Sequence, residues 1–325
     1  MRRNELGADV NPPIRVGVSP CLLGENVRYA GDHARDLFVS ETLGKYFAWV
    51  PTCPEVQIGL GVPRPPIQLQ RSRAGIRLLM ASTGTDLTRR MEEFCVAAAE
   101  LLASQGLAGY VFKSRSPSCG IRLAKLYTSR GTFRRVGRGF FAADIMRRMP
   151  LMPVVTEEEL RDPIRRLTWV TRVFATARMN RLWSQAGGAG ELEQFHESYV
   201  LTVRAHSAAA EGALRKLIRR EKKSRGFRAA YEAALHKALD RPTSRAKQVR
   251  VLKAIVASLR PKVSREEREN LESVVRGYGA ADIPLVEAVS ILRLSARTAK
   301  DASLCASNYL FPDSREWMLR AGTGL

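Results

Sequence analysis

Apolar and polar positions along the chain follow two regimes. From residue 14 to about 160, short apolar runs alternate with longer amphipathic stretches. Ile14-Arg15-Val16-Gly17-Val18-Ser19 reads as a strand ending in a loop. Residues 36–47 read as helical, and Trp49-Val50-Pro51-Thr52-Cys53 as a strand entering a Pro-rich loop. Ile76–Met80 is a further strand candidate, and Leu87–Leu102 a long amphipathic helix with Asp86 as a cap near its start. Gly109–Lys113 reads as a strand, Thr132–Gly137 as loop or edge, Phe140–Met149 as helix, and Pro153-Val154-Val155 as a closing strand. This alternation predicts an α/β domain with a mainly parallel sheet and helices on both faces.

Beyond residue 160 the period becomes helical. Residues 161–183 read as a basic helix, and Ser184-Gln185-Ala186-Gly187-Gly188-Ala189-Gly190 as a linker. Helices are expected over 191–221, 227–239, 244–259, 264–278 and 284–299, with Ser264-Arg265-Glu266-Glu267 as a capping box and Pro284 in a first turn. The expected organisation is an α/β domain over 14–160, a helical connector and Gly-rich linker over 161–190, and an all-α C-terminal domain over 191–320.

A chain of 325 residues exceeds what one core comfortably serves, which agrees with two domains. No run of eighteen apolar residues predicts a membrane span. Met1-Arg2-Arg3-Asn4-Glu5-Leu6-Gly7 lacks the apolar segment of a secretory signal, and the first dozen residues read as a loose tail. The net charge is +21, unevenly placed: residues 1–160 carry 22 basic and 15 acidic groups, residues 161–325 carry 31 and 17. That balance favours anionic substrates or polyanionic partners. The five cysteines, an odd number without a signal peptide, argue against a disulfide scaffold and for reduced thiols in the cytoplasm. Cys95 and Cys305 read as ordinary buried thiols.

Cys21, Cys53 and Cys119 differ from those two, because each lies at or just after the end of a predicted strand. In an open α/β sheet the carboxyl ends of the strands form one rim, so three thiols distant in sequence can meet there. Thiolates suit zinc or iron–sulfur clusters. No close Cys-X-X-Cys pair exists, so the common structural zinc pattern is absent. Three dispersed thiols suit a cubane with three irons held by protein and one iron open to a soft sulfur atom.

The flanking motifs carry more information than the spacing. Ser19-Pro20-Cys21-Leu22-Leu23-Gly24, Cys53-Pro54-Glu55-Val56, Gly61-Val62-Pro63-Arg64-Pro65-Pro66 and Lys113-Ser114-Arg115-Ser116-Pro117-Ser118-Cys119-Gly120 together resemble the thiouracil desulfidase family, formerly domain of unknown function 523. Arg28-Tyr29, Asp86-Leu87-Thr88 and Gly137-Arg138-Gly139 extend the resemblance over roughly residues 14–155. It implies a [4Fe–4S] cluster on Cys21, Cys53 and Cys119. It also implies hydrolytic removal of sulfur from 2- or 4-thiouracil or 4-thiouridine monophosphate, with Glu55 and Ser116 as the catalytic carboxylate and hydroxyl. Gln68 stands where that family commonly has a glutamate. Arg28, Arg64, Lys113 and Arg115 are basic groups near the motifs, able either to bind a substrate phosphate or simply to face solvent.

Phe195-His196, Ala205-His206-Ser207, Ile283-Pro284-Leu285 and Tyr309-Leu310-Phe311-Pro312 resemble a second family, domain of unknown function 1722, over roughly residues 190–315. Here Tyr199-Val200 replaces that family's His-Lys pair, and Asp313 replaces a tyrosine. His196 and His206 are expected to be packed or surface histidines rather than ligands. Arg215, Lys216, Arg219, Arg220, Lys222, Lys223, Arg225 and Arg228 form the densest basic run. It reads as a solvated helix end, or as a phosphate-binding stripe for thiolated transfer RNA. Two alternatives therefore stand beside the desulfidase: an RNA-acting protein, and a non-catalytic metal-binding module.

Overall fold

A computed structural model describes residues 13–185, 189–221 and 226–322 of the chain. The expected N-terminal tail, the middle of the Gly-rich linker, and Lys222, Lys223 and Arg225 lie outside the described residues. The chain divides into two compact units, Met1–Glu157 and Glu158–Leu325.

The first unit contains two four-stranded sheets. One is wholly parallel, in the order β2 (Phe47–Pro51), β1 (Ile14–Val18), β5 (Tyr110–Phe112) and β8 (Val154–Thr156). β1 is buried along almost its whole length, the pattern of a central parallel strand covered on both faces. The second sheet runs β4 (Gly75–Met80), β3 (Ile67–Ser72), β6 (Ala124–Tyr127) and β7 (Phe133–Gly137). Its β3–β4 and β6–β7 pairs are antiparallel, and β3–β6 is parallel. Sequence reading placed β4 in the parallel sheet and missed β3 and β6. Their alternating apolar and polar positions are short and follow prolines or loop signals, so the period had little length in which to declare itself.

A short helix α1 (Pro54–Gln57), α2 (Thr88–Ser104) and α3 (Phe140–Arg148) complete this unit. Met91, Cys95 and Leu102 of α2 share one core with Phe141 and Ile145 of α3, Tyr110 and Phe112 of β5, and Leu69 and Leu78 of the second sheet. The helix expected over 36–47 is a π turn, Phe38–Thr42, followed by a 3-10 turn, Leu43–Lys45, and Phe47 already belongs to β2.

The second unit is helical: α4 (Pro163–Ser184), α5 (Ala189–His206), α6 (Ala208–Glu221), α7 (Phe227–Leu239), α8 (Arg245–Leu259), α9 (Arg265–Ala280), α10 (Leu285–Thr298), α11 (Ala302–Cys305) and α12 (Ser314–Ala321). The helix read as continuous over 191–221 is two helices interrupted at Ser207, whose hydroxyl accepts from the Ala210 N–H. α4, read as a connector, instead supplies Ala175 and Met179 to a core with Tyr199, Leu214 and Tyr231. Pro284 caps α10 from outside its first turn. Ser264 caps α9 by accepting from the Glu267 N–H, but the Glu267 carboxylate turns away to the Ser295 hydroxyl, so only half of the capping box forms. No described helix is long and apolar enough to cross a membrane.

Candidate active site

β2, β1 and β5 are neighbours in the parallel sheet, so their carboxyl ends share one rim. Each delivers one cysteine. After β1 the chain makes a tight 3-10 turn, Pro20–Leu23, that carries Cys21 and ends at Gly24 in the left-handed region. After β2, Cys53 stands at the N-cap of α1 and presents Glu55 in that helix's first turn. After β5, the loop Lys113–Gly120 carries Cys119. These elements surround a cavity of about 340 Å3 whose lining includes Cys21, Cys53, Cys119, Glu55, Ser116 and Tyr29.

Two glycines permit this assembly. A side chain at Gly17 would meet the Tyr110 ring at 2.1 Å, and that ring lies against β1 while stacking on Phe112 at 3.9 Å. A side chain at Gly139 would meet the Ser118 carbonyl oxygen at 2.4 Å. Gly139 donates its N–H to Gly120 O at 2.7 Å, which closes α3 onto the cysteine loop.

The thiols are close enough to influence one another electrostatically: Cys53 raises the pKa of both Cys21 and Cys119, and Cys21 adds to the rise at Cys119. Burial dominates and pushes Cys21 up to about 12, with Lys113 partly opposing it. Burial likewise raises Cys53 and carries Cys119 well above the usual thiol range. All three are therefore neutral thiols at physiological pH until a metal takes the place of their protons. Among the described residues, no three His, Cys, Asp or Glu side chains form a group able to hold a single metal ion. Cys95 is buried within α2 and Cys305 lies in α11, neither of them on the cavity.

Glu55 is anchored in the wall through both carboxylate oxygens. Its Oε2 accepts from Arg64 Nε at 3.0 Å and Nη2 at 2.8 Å, and its Oε1 accepts from Ser118 Oγ at 2.9 Å. Ser116 Oγ accepts from the N–H groups of Ser118 and Cys119 at 3.1 and 3.0 Å, so its own proton is left to donate elsewhere. The four basic residues singled out in the sequence all line the cavity. Arg28 pairs with Asp32 and stands over the Tyr29 ring at 5.7 Å. Lys113 Nζ donates to Glu157 Oε1 at 2.5 Å, and Arg115 adopts a positive φ of 59°. Gln68 does not reach the cavity; its neighbour Ile67 does, since adjacent strand residues face opposite sides.

Sequence reasoning missed Ser118, Ser19, Ser114 and Glu157. The Ser19 hydroxyl accepts from the Lys113 N–H at 3.0 Å, tying the first cysteine turn to the third. Glu157 is buried, and accepts from the Ser114 N–H at 2.8 Å and the Ser114 hydroxyl at 2.6 Å. Its signal was present: Glu157 directly follows β8, the fourth strand of the same rim.

A sequence model of the 2-thiouracil desulfurase family matches residues 16–158. Through its N-terminal unit, the chain belongs to the 2-thiouracil desulfurase family. The desulfurase segment thus begins within β1 and ends just past β8, and it encloses every residue of the cavity. A second model, protein of unknown function (DUF1722), matches residues 201–313. Among solved structures, a [4Fe-4S]-dependent thiouracil desulfidase, TudS, is similar at 30% identity over 46% of this chain and 93% of its own, with a TM-score of 0.36. No curated protein matches the chain.

In the helical unit, the histidines are structural. His196 Nδ1 meets the Tyr231 hydroxyl at 3.1 Å, and His206 Nδ1 donates to Arg241 O at 2.6 Å. Tyr199 is buried and accepts from Arg178 at 2.6 Å, while Asp313 caps α12. Within the described part of the basic run, Arg215 pairs with Glu197 and Glu211, and Arg228 pairs with Glu232 while covering the Trp183 ring. These two of the run's eight cations are therefore paired within the fold.

Proposed function

We propose that the N-terminal unit holds a [4Fe–4S] cluster on Cys21, Cys53 and Cys119 and replaces the sulfur of a thiolated pyrimidine with oxygen. The observation that carries this reading is the convergence of three thiols, two buried and one half-buried, from three adjacent strands, on one cavity that also contains Glu55. The donor set fits the group: thiolates are the ligands iron–sulfur clusters take, and among the described residues no histidine lines the cavity. Bound there, the cluster supplies an iron without a protein ligand, a soft Lewis acid for a thiocarbonyl sulfur.

The chain's own residues have definable tasks. Glu55 is the general base that takes a proton from water as the water oxygen attacks the ring carbon bearing sulfur. Its Oε1 accepts one bond from Ser118, and a carboxylate oxygen has room for a second. Ser116 donates its hydroxyl proton to the pyrimidine and orients it. Tyr29, Pro66, Ile67 and Pro117 provide apolar walls for a flat ring. The net change converts a C=S group and water into a C=O group and hydrogen sulfide, with no electron transfer. The substrates are 2- or 4-thiouracil, or 4-thiouridine monophosphate. Five free cysteines suit a reducing, cytoplasmic setting.

Anaerobic reconstitution with iron and sulfide, followed by turnover of 4-thiouridine monophosphate read from its near-ultraviolet absorbance, tests this. The expected result is about four irons per chain and turnover that Cys21→Ala abolishes. Failure to take up iron overturns the reading, as does full iron content without turnover of any thiolated pyrimidine.

A further inference from the structure

Arg64 has the sequence context of a substrate-phosphate ligand, but its surroundings point elsewhere. It is a buried arginine, only 7% exposed, in the wall of an open cavity. Nε and Nη2 converge on Glu55 Oε2, Nη2 also reaches Val27 O at 2.8 Å, and Nη1 donates to Gly61 O at 2.8 Å. Its backbone N–H is held by Tyr29 O at 2.9 Å. A guanidinium that turned to a phosphate would abandon these acceptors and leave Glu55 as an unpaired, largely buried charge, which is strongly unfavourable.

Ser118 completes the arrangement from behind the cavity wall. It is fully buried and does not line the cavity. Its N–H donates to Ser116 Oγ, its carbonyl accepts from the Ala142 N–H at 3.1 Å, and Gly139 packs against that carbonyl. With the main chain pinned at each of these points, the Ser118 hydroxyl is directed to Glu55 Oε1.

We propose that Arg64 and Ser118 are positioning residues that hold the two oxygens of Glu55 in place for water activation, and that Arg64 does not bind substrate phosphate. This rests on Glu55 acting as the base. A carboxylate free to rotate would lose the near-attack geometry in which a displacement of about 1 Å costs on the order of 100-fold in rate. Arg64→Lys is not a conservative change here, because a single ammonium cannot span the acceptors that the planar fork serves.

The test uses the reconstituted full chain with Arg64→Met, Arg64→Lys and Ser118→Ala. It compares 4-thiouridine monophosphate with 4-thiouridine, which has the same chromophore but no phosphate. Iron content is measured for each variant, and crystal structures of the apo variants report the Glu55 rotamer. The expected result is a kcat reduced about 10- to 100-fold alike for both substrates, little change in KM, unchanged iron content, and a displaced Glu55 carboxylate. A KM rise confined to the phosphorylated substrate overturns the proposal and makes Arg64 a phosphate subsite. Loss of iron in the variants, or a Glu55 carboxylate that stays in place, overturns it too. Should Arg64→Met not fold, Ser118→Ala removes one hydroxyl and decides by the same readouts. An inactive wild-type protein sinks the desulfidase reading instead, and the apo crystal structures then still decide whether the clamp exists.

Discussion

Arg64 places two guanidinium nitrogens on a single oxygen of Glu55, at 3.0 and 2.8 Å, and so leaves the other oxygen to Ser118 and the cavity. The asymmetry suits a base: one oxygen anchors the carboxylate, and the other retains acceptor capacity toward the space where substrate would sit.

Replacing Glu55 by Gln removes the proposed base without touching the thiols. The expected outcome is unchanged iron content with turnover reduced on the order of 100- to 10,000-fold, measured by single-wavelength kinetics on anaerobic protein. Turnover within a few-fold of wild type would exclude Glu55 as the base.

The five cysteines divide into two classes. Alanine at Cys21, Cys53 or Cys119 is expected to lower iron per chain and abolish activity. Alanine at Cys95 or Cys305 is expected to preserve both, because neither lines the cavity. Parallel iron assays on the five variants check this.

Two buried histidines link the stability of the helical unit to pH. Burial holds His206 and His236 down at about 4, below their ordinary 6.5. Between these values the unfolded chain binds protons that the folded state refuses. The contribution is therefore complete above pH 6.5 and is lost as pH falls toward 4. Each tenfold difference in proton affinity between the two states is worth about 1.4 kcal/mol. The Tm of the apo protein should fall over this window, and His236→Leu should flatten the fall. An equally steep fall in that variant would contradict the assignment.

Gly139→Ala would place a methyl against the Ser118 carbonyl at a separation that backbone cannot absorb without shifting. A loss of about 1–3 kcal/mol in urea unfolding is expected, together with reduced iron uptake, since the displaced loop carries Cys119. Wild-type stability and iron content would show that α3 and the loop are less tightly joined than these contacts require.

The positions of the thiols were legible because the rule that exposes them is local. An apolar run with a cysteine in the segment behind it places that cysteine near the carboxyl end of a strand, and parallel strands share that rim. The same rule applied to Val154–Thr156 would have found Glu157. The second sheet was not legible. β3 and β6 are non-local partners, paired parallel through Leu69 and Leu126, and nothing within either segment announces the other. The break at Ser207 was hidden for a related reason. Its flanks keep a helical apolar period, and the turn is stabilised by Arg241, which donates to the Ser207 hydroxyl at 2.9 Å from 34 residues away.

The sequence by itself determined the two-part organisation, the parallel strands, the helical second half and the identity of the three rim cysteines. Each of these depends on periodicity or on short motifs, information carried by residues near one another in the chain. Only the tertiary structure decided what the charged residues do. Arg64, Lys113 and Arg28 look alike in sequence, yet one clamps Glu55, one pairs with the buried Glu157, and one stays at the cavity edge with Asp32. A charge takes its role from the partner and the burial that folding brings to it, and both come from distant parts of the chain.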